Sequence, residues 1–348
     1  MNTQWRELLQ HDGAVFDGDE VLNFGDELGE RRAARSGIVL AELSAWGFIA
    51  ASGADAESFL QGQLANDVKA LTPKLSQLSA YCSPKGRILA SMRIVRRDKD
   101  YLLRVPRTTL EATLKRLRMF VLRSKVELTD LSDSVVSLGL AGEQAPARIS
   151  SALGDVPVEL DSIRATDGIT VVRVPGLTPR YECYGEPTRL GALWQQLREG
   201  ATTVSSATWA WLDIMAGVPR VLPNTVDSFV PQMLNLQAFG GLSFTKGCYP
   251  GQEIVARTQY LGKLKRRMFL GHVDAERCPA PGTDLYASND ASEQSAGKVV
   301  DAQTSPHGGV DLLAVIQLAA VEDGATLTLG SPAGPPLALQ DLPYRLES

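Results

Sequence analysis

The stretch "TKGCYPGQEIVART", residues 245–258, decides how this chain is read. It packs one cysteine, two glycines, a proline and a carboxylate into a short segment, with Lys246 near one end and Arg257 near the other. Pro250-Gly251 forces a turn, which places Cys248 on a loop rather than inside a strand. Gly247 and Gly251 let main-chain N–H groups come close to an anion or a ligand. A thiol is useful as thiolate, and nearby positive charge lowers its pKa. Lys246 and Arg257 are the candidate sources of that charge, and Glu253 is placed to orient a cation or accept a hydrogen bond. Two readings of Cys248 stand side by side: a functional thiol on a cationic, glycine-rich loop, and a small apolar residue buried beside a Pro-Gly turn. Cys82, Cys183 and Cys278 lie in strand-like or loop settings without paired glycines and read as structural.

The chain has 348 residues, too many for one ordinary core, so two or three domains are expected. Its composition, 44% apolar and 22% charged, is that of a soluble globular protein. A net charge of -5 argues against direct nucleic-acid binding. The local basic run Lys263, Lys265, Arg266 and Arg267 reads as a solvated strand edge. The first twenty residues lack the pattern of a signal peptide, and no run of 18 apolar residues suggests a membrane span. The cysteines and the three histidines are scattered, with no CxxC spacing, so no local zinc or dithiol site is expected. A cytoplasmic location with free thiols follows as the simplest expectation.

Residues 1–36 read as a polar extension. "FIAASGADAESFLQGQLANDV" then reads as strand, turn and helix, with Ala56, Phe59, Leu60 and Leu64 on one helical face. "LSAYCSPKGRILASMRIVRRDKDYLLRV" reads as strands joined by tight turns at 84–86 and 98–100. A helix capped by Thr108 and Glu111 follows, with Leu110, Leu114, Leu117 and Val121 in register. A second passage of the same kind contains the strands "VVSLGLAG", "ITVVRVP" and "RYECYG". It ends in a helix opened by Pro187 that buries Leu190, Leu193, Trp194 and Leu197. Sheets with helices over one face, occurring twice, indicate an α+β fold. From Arg266 onward, short strands separated by Gly, Pro, Asn and Ser suggest a small β-barrel. The expected division is an extension (1–36), two α/β lobes (37–130 and 131–265) and a barrel (266–348).

Trp211 aligns with Ile214, Met215 and Val218 and belongs to a core face. Trp209 aligns with Leu212, Asp213 and Ala216, a mixed face. It is either a stacking platform for a flat ligand or a boundary residue, and Trp46 has the same ambiguity.

"KGCYPGQE" resembles the K-G-C-aromatic-x-G-Q-E signature of the YgfZ family, and "GADAESFLQGQLANDV", "SPKGR", "FVPQMLNLQAFGGLSFTKGC" and "LPYRLE" extend the likeness over residues 38–348. That family is similar to the T-protein of the glycine cleavage system, a tetrahydrofolate-dependent aminomethyltransferase. The resemblance implies a ring of two α/β lobes and a C-terminal β-barrel around a folate-holding channel. It also implies a function: folate-dependent assembly or repair of iron–sulfur clusters in client enzymes, including tRNA-modifying ones, with no membrane partner.

Carried over residue by residue, the resemblance makes Cys248 and Lys246 the reactive pair. Trp46, Trp209, Gly247, Tyr249, Gly251, Gln252, Glu253 and Arg257 become folate-site residues, and no resident metal is implied. Two departures stand out. Ala90 and Ser91 occupy the place of the acid that activates the folate nitrogen in aminomethyltransferases, and neither can do that acid–base work. Met215 stands where relatives carry a glutamate that hydrogen-bonds the pterin. The alternatives are a folate-dependent one-carbon transferase or demethylase, and a non-catalytic binding scaffold.

Overall fold

The computed structural model describes residues 1–260, 262, 264–288 and 294–346. Lys263 of the basic run and Glu347 of "LPYRLE" lie outside the described residues. The chain opens with α1 (Thr3–His11), β1 (Val15–Asp17), β2 (Glu20–Asn23), α2 (Glu27–Ser36), β3 (Val39–Glu42), β4 (Trp46–Ser52) and α3 (Ala56–Gln63). There follow β5 (Gln77–Cys82), β6 (Ile88–Arg96), β7 (Asp100–Pro106), α4 (Arg107–Arg118), β8 (Glu127–Asp130), β9 (Val136–Ala141) and α5 (Ala145–Leu153). Next come β10 (Ile163–Thr166), β11 (Ile169–Val174), β12 (Arg180–Gly185), α6 (Pro187–Leu197), β13 (Thr202–Val204), α7 (Ser206–Met215) and α8 (Gln252–Tyr260). The last part holds β14 (Arg266–Val273), β15 (Asp284–Ala287), β16 (Gly297–Thr304), β17 (Val310–Gln317), α9 (Leu318–Glu322), β18 (Leu327–Leu329) and β19 (Pro336–Gln340).

These elements form two compact units. The first comprises Met1–Ala56, Leu71–Ser76 and Arg93–Leu212; the second comprises Glu57–Ala70, Gln77–Met92 and Asp213–Ser348.

In the first unit, a sheet of order β10-β11-β12-β9-β3-β13 carries α1, α5 and α6 on an apolar face. β13 pairs parallel with β3, and the other ladders are antiparallel. Leu190, Leu193, Trp194 and Leu197 are all buried, as the helical spacing predicts. The N-terminal residues depart from the expected polar extension. Helix α1 places Trp5 and Leu9 four residues apart, and both pack into this core. Trp5 meets Trp194 edge to face, with centroids 5.6 Å apart, and Trp194 Nε1 donates to Asp12 at 2.6 Å. Leu8 packs beside them, so three apolar residues dock a helix that is polar on average.

The same unit contains β7, β4 and β8 in an antiparallel sheet with the second half of β6. The lobes expected at 37–130 and 131–265 do not follow strand pairing: β3 joins β9 and β13, and the β4–β8 segment is inserted between them in sequence. Helix α4 starts at Arg107 without a side-chain cap and ends at Arg118, so Val121 lies beyond it. The tight turns that follow, such as Met119 N–H to Arg116 C=O, explain the early stop.

In the second unit, β5 and the first half of β6 form the hairpin around Pro84-Lys85-Gly86. Phe59, Leu60 and Leu64 of the α3 segment are buried as their spacing predicts. Strands β14-β17-β16-β15-β18-β19 close a barrel, and its first strand begins at Arg266 where the composition changes. The register of β16 shifts between Val299 and Asp301, and Asp301 there accepts from Arg220 Nε at 2.6 Å in a buried ion pair. Near the C-terminus, Tyr344 hydroxyl donates to Gly217 C=O at 3.1 Å and accepts from Asn235 Nδ2 at 3.3 Å.

Candidate functional site

The motif around Cys248 alternates buried anchors with an exposed tip. Gly247 and Cys248 are exposed, while Lys246 and Tyr249 on either side are 7% exposed each. Lys246 does not face a thiol. Its ammonium donates to Gln61 C=O at 2.6 Å, Leu64 C=O at 2.5 Å and Asn66 C=O at 3.0 Å. These carbonyls lie at and just beyond the C-terminal end of α3, where main-chain acceptors lack helical partners and a cation is favoured. All three N–H bonds of the ammonium are thereby committed. Burial lowers its pKa to about 8, against the opposing attraction of Asp67. The expectation of a reactive Lys246–Cys248 pair gives way to a different division of work: Lys246 anchors the loop, and the exposed cysteine stands beside that anchor.

Tyr249 plugs the other side into the core of the second unit, and burial pushes its phenol pKa well up. Lys246 Nζ lies 5.1 Å from its ring centroid. Pro250-Gly251 then turns the chain into α8, with Gln252 and Glu253 in the first turn. Gly251 has φ +82°, and a Cβ there would stand 2.4 Å from Ser83 C=O and 2.6 Å from Gly86 Cα. Gly86, at φ +69°, is crowded by the Ile254 side chain, which a Cβ there would approach to 2.8 Å. The "SPKGR" hairpin and the cysteine motif, distant in sequence, therefore interlock through two glycines. Residues 227–229 clamp the same hairpin: Ser83 hydroxyl donates to Asp227 at 2.8 Å, and Ile88 N–H to Phe229 C=O at 2.8 Å. Gly247 differs, because a Cβ there would meet nothing within 4 Å. Arg257 is exposed and pairs with the exposed Glu253 at 2.7 Å on the surface of α8.

Among the cysteines, Cys248 and Cys278 are exposed, and Cys82 and Cys183 are buried. Burial raises the Cys82 thiol to about 12 and raises Cys183 further still, so neither ionises near neutral pH. Cys278 Sγ lies 3.4 Å from Thr304 Oγ1. Among the described residues, no group of three or more His, Cys, Asp or Glu side chains is arranged to hold a metal.

Trp46 and Trp209 both belong to the first unit, and each carries a guanidinium on a ring face. Arg104 Cζ is 3.6 Å from the Trp46 centroid, and Arg180 Cζ is 4.3 Å from that of Trp209. Trp209 is fully buried, with the ring edge of its six-membered half against Gly139, where a Cβ would come within 2.6 Å. Trp46 is 9% exposed. Trp211 is buried as expected, and Met215 packs against the core of the second unit.

Around these rings lies a buried ionic layer that no sequence motif marks. Arg180, Glu182 and Tyr184 alternate along one face of β12. Arg104 pairs with Glu182 at 2.7 Å, Tyr184 hydroxyl donates to Glu182, and Arg180 Nη1 donates to Pro175 and Leu212 carbonyls at 3.0 Å each. Arg93, opposite Arg104 in the β6–β7 ladder, pairs with Asp161 and donates to Ser76 at 2.8 Å. Burial opposes the charge on Arg93, but Asp161, Tyr184 and Glu182 raise its pKa overall. Burial beside Glu182 pushes the Tyr184 phenol well up. Charged residues in the middle of "SMRIVRR", "YLLRVP" and "RYECYG" were the available signal, since a central strand position is rarely charged without a partner. Ala90 is fully buried, and Ser91 Oγ accepts from Val221 N–H at 3.0 Å. Neither supplies a carboxylate at that place in β6.

The sequence profile of the GCVT N-terminal domain matches residues 20–202. The tRNA-modifying protein YgfZ of Colwellia psychrerythraea is 34% identical over 310 residues, covering 88% of this chain and 93% of the relative. The chain belongs to the YgfZ family. The YgfZ protein of Escherichia coli O157:H7 is 31% identical over 315 residues, with 90% and 96% covered. Among solved structures, the glycine cleavage system aminomethyltransferase T of Bartonella henselae superposes with a TM-score of 0.78 over 99% of this chain and 97% of the other, at 18% identity. That likeness establishes the T-protein fold for this YgfZ-family chain: mixed α/β sheets with a closed C-terminal barrel.

Proposed function

We propose that this chain is a YgfZ-type factor that supports tRNA modification by sustaining iron–sulfur clusters in client enzymes, with tetrahydrofolate as ligand and Cys248 as its working thiol. The observation that carries this reading is the exposed Cys248 held between two buried anchors, Lys246 and Tyr249. A thiol presented on a fixed loop can meet a partner protein without the cost of ordering the loop first. A single cysteine does not hold a cluster alone, so the contact is transient and shared with the client.

The fit of tetrahydrofolate to these residues is through donors rather than ring faces. Trp209 has a guanidinium over its ring and Gly139 against it, so a pteridine does not stack there in the observed arrangement. Trp209 Nε1 and Arg104 Nε are buried donors without a hydrogen-bond partner among the described residues, which suits an acceptor-rich ligand. When bound, tetrahydrofolate would supply a one-carbon carrier. Arg104, Arg180 and Trp209 would bind and orient it.

The experiment is complementation of a strain lacking its own YgfZ protein with the wild-type chain and with Cys248→Ser. Thiomethylated tRNA nucleosides are quantified by mass spectrometry at equal protein level. The variant is expected to fall to the level of the empty strain, and full restoration removes the thiol from the proposal. Tryptophan fluorescence titrated with tetrahydrofolate tests the ligand separately. Saturable quenching lost in Arg104→Gln is expected, and no quenching of the wild-type chain rejects folate.

A further inference from the structure

The first unit holds a cleft of about 560 Å³ lined by the β6–β7 and β10–β11 hairpins. That volume suits a small organic ligand. Apolar side chains make its floor: Val95, Leu102, Leu131, Ile163 and Ile169. Tyr184, almost wholly buried, also lines the cleft, and its hydroxyl is already satisfied by Glu182.

The rim decides the sign of the ligand. It carries Arg96, Arg97, Asp98, Asp167 and Glu186. Arg97 is neutralised by Asp100, to which its Nε and Nη2 donate at 2.6 Å each. Arg96 donates to Leu71 C=O at 3.2 Å and lies 5.8 Å from the Tyr101 centroid. Asp98, Asp167 and Glu186 are exposed, and none makes an ion pair among the described residues. Three carboxylates therefore outnumber the two guanidinium groups of Arg96 and Arg189, the latter lying against Gly168. Asp167 is held in place: it sits at φ +47° ahead of Gly168 at φ +75°, and Arg189 donates to its carbonyl.

We propose that this cleft binds an organic cation: a protonated amine on an apolar, ring-sized body, with the ring on the floor and the ammonium at the carboxylate rim. Neither the cysteine motif nor the folate reading uses it.

Isothermal titration with 2-phenylethylammonium at pH 7 and low salt tests this. The neutral 3-phenyl-1-propanol and the anionic 3-phenylpropionate serve as comparison probes. The amine is expected to bind saturably and the alcohol more weakly. Asp167→Asn with Glu186→Gln should weaken the amine about fivefold and leave the alcohol unchanged, the scale for two rim charges. Ser134→Trp, at an exposed position lining the cleft, should abolish amine binding while the thermal midpoint stays near wild type. Absence of saturable amine binding, tighter binding of the carboxylate, or amine binding unaffected by Ser134→Trp each overturns the proposal.

Discussion

The guanidinium of Arg104 lies 3.6 Å from the centroid of the Trp46 ring while its Nη2 pairs with Glu182 at 2.7 Å. One side chain thus joins an indole on β4 to a carboxylate on β12, and all three groups are buried. Removing one partner of such a pair leaves a charge without compensation. Glu182→Gln is expected to cost about 3–5 kcal/mol, whereas the double change Glu182→Leu with Arg104→Met costs much less. Urea unfolding midpoints of the two variants check this; equal losses would contradict it.

Lys246 makes a second prediction, in pH. Its pKa is about 8 in the folded chain and about 10.4 when unfolded. Between these values the unfolded chain binds more protons, so this group's contribution to stability rises with pH across that window. Below pH 8 both states hold the proton, and the contribution is flat. Lys246→Met should remove that slope from the stability profile. It should also destabilise the chain by about 2–4 kcal/mol at pH 7, because three buried carbonyls lose their donor. Denaturant titrations at several pH values between 7 and 10 provide the check, and parallel wild-type and variant profiles would contradict it.

The two glycines of the motif separate structure from function. Gly251→Ala meets main chain at 2.4 Å and a positive φ, so a loss of about 2–4 kcal/mol is expected. Gly247→Ala meets nothing within 4 Å, so its stability should stay within about 0.5 kcal/mol of wild type. Thermal unfolding measures both. A loss of tRNA thiomethylation in the stable Gly247→Ala variant would then report on what approaches the loop.

Thiol labelling of the native chain should show two reactive cysteines, Cys248 and Cys278, and two protected ones, Cys82 and Cys183. Cys248→Ser should leave a single fast thiol. Alkylation followed by peptide mapping checks the assignment. Fast labelling of Cys82 would show that the second unit opens far more readily than its packing implies.

Much of this arrangement is legible in residue order. The hairpin turns at 84–86 and 98–100, the buried stripe of α6 and the barrel beginning at Arg266 all follow from local chemistry: turn residues, helical period and strand spacing. Helix α1 escaped because its nine residues are polar on average, which hides the apolar stripe of Trp5, Leu8 and Leu9. The lobe boundaries escaped because β3 is separated from its partners by a whole inserted sheet, and pairing at that distance has no local signature. At the site, the family signature located the exposed cysteine. The direction of Lys246 was illegible, because its acceptors are main-chain carbonyls near the end of α3. Adjacency in sequence suggested an activated thiol; the helix end had the stronger claim on the ammonium.

Strand β3 waits for its neighbours. Val39 pairs with Ala141 and, on its other edge, with Thr202. During synthesis, at roughly 5–20 residues per second, the nascent segment spends many seconds outside the ribosome with both edges unsatisfied. Chaperone dependence and aggregation of truncated products should therefore be sharpest for chains released before β13 has emerged.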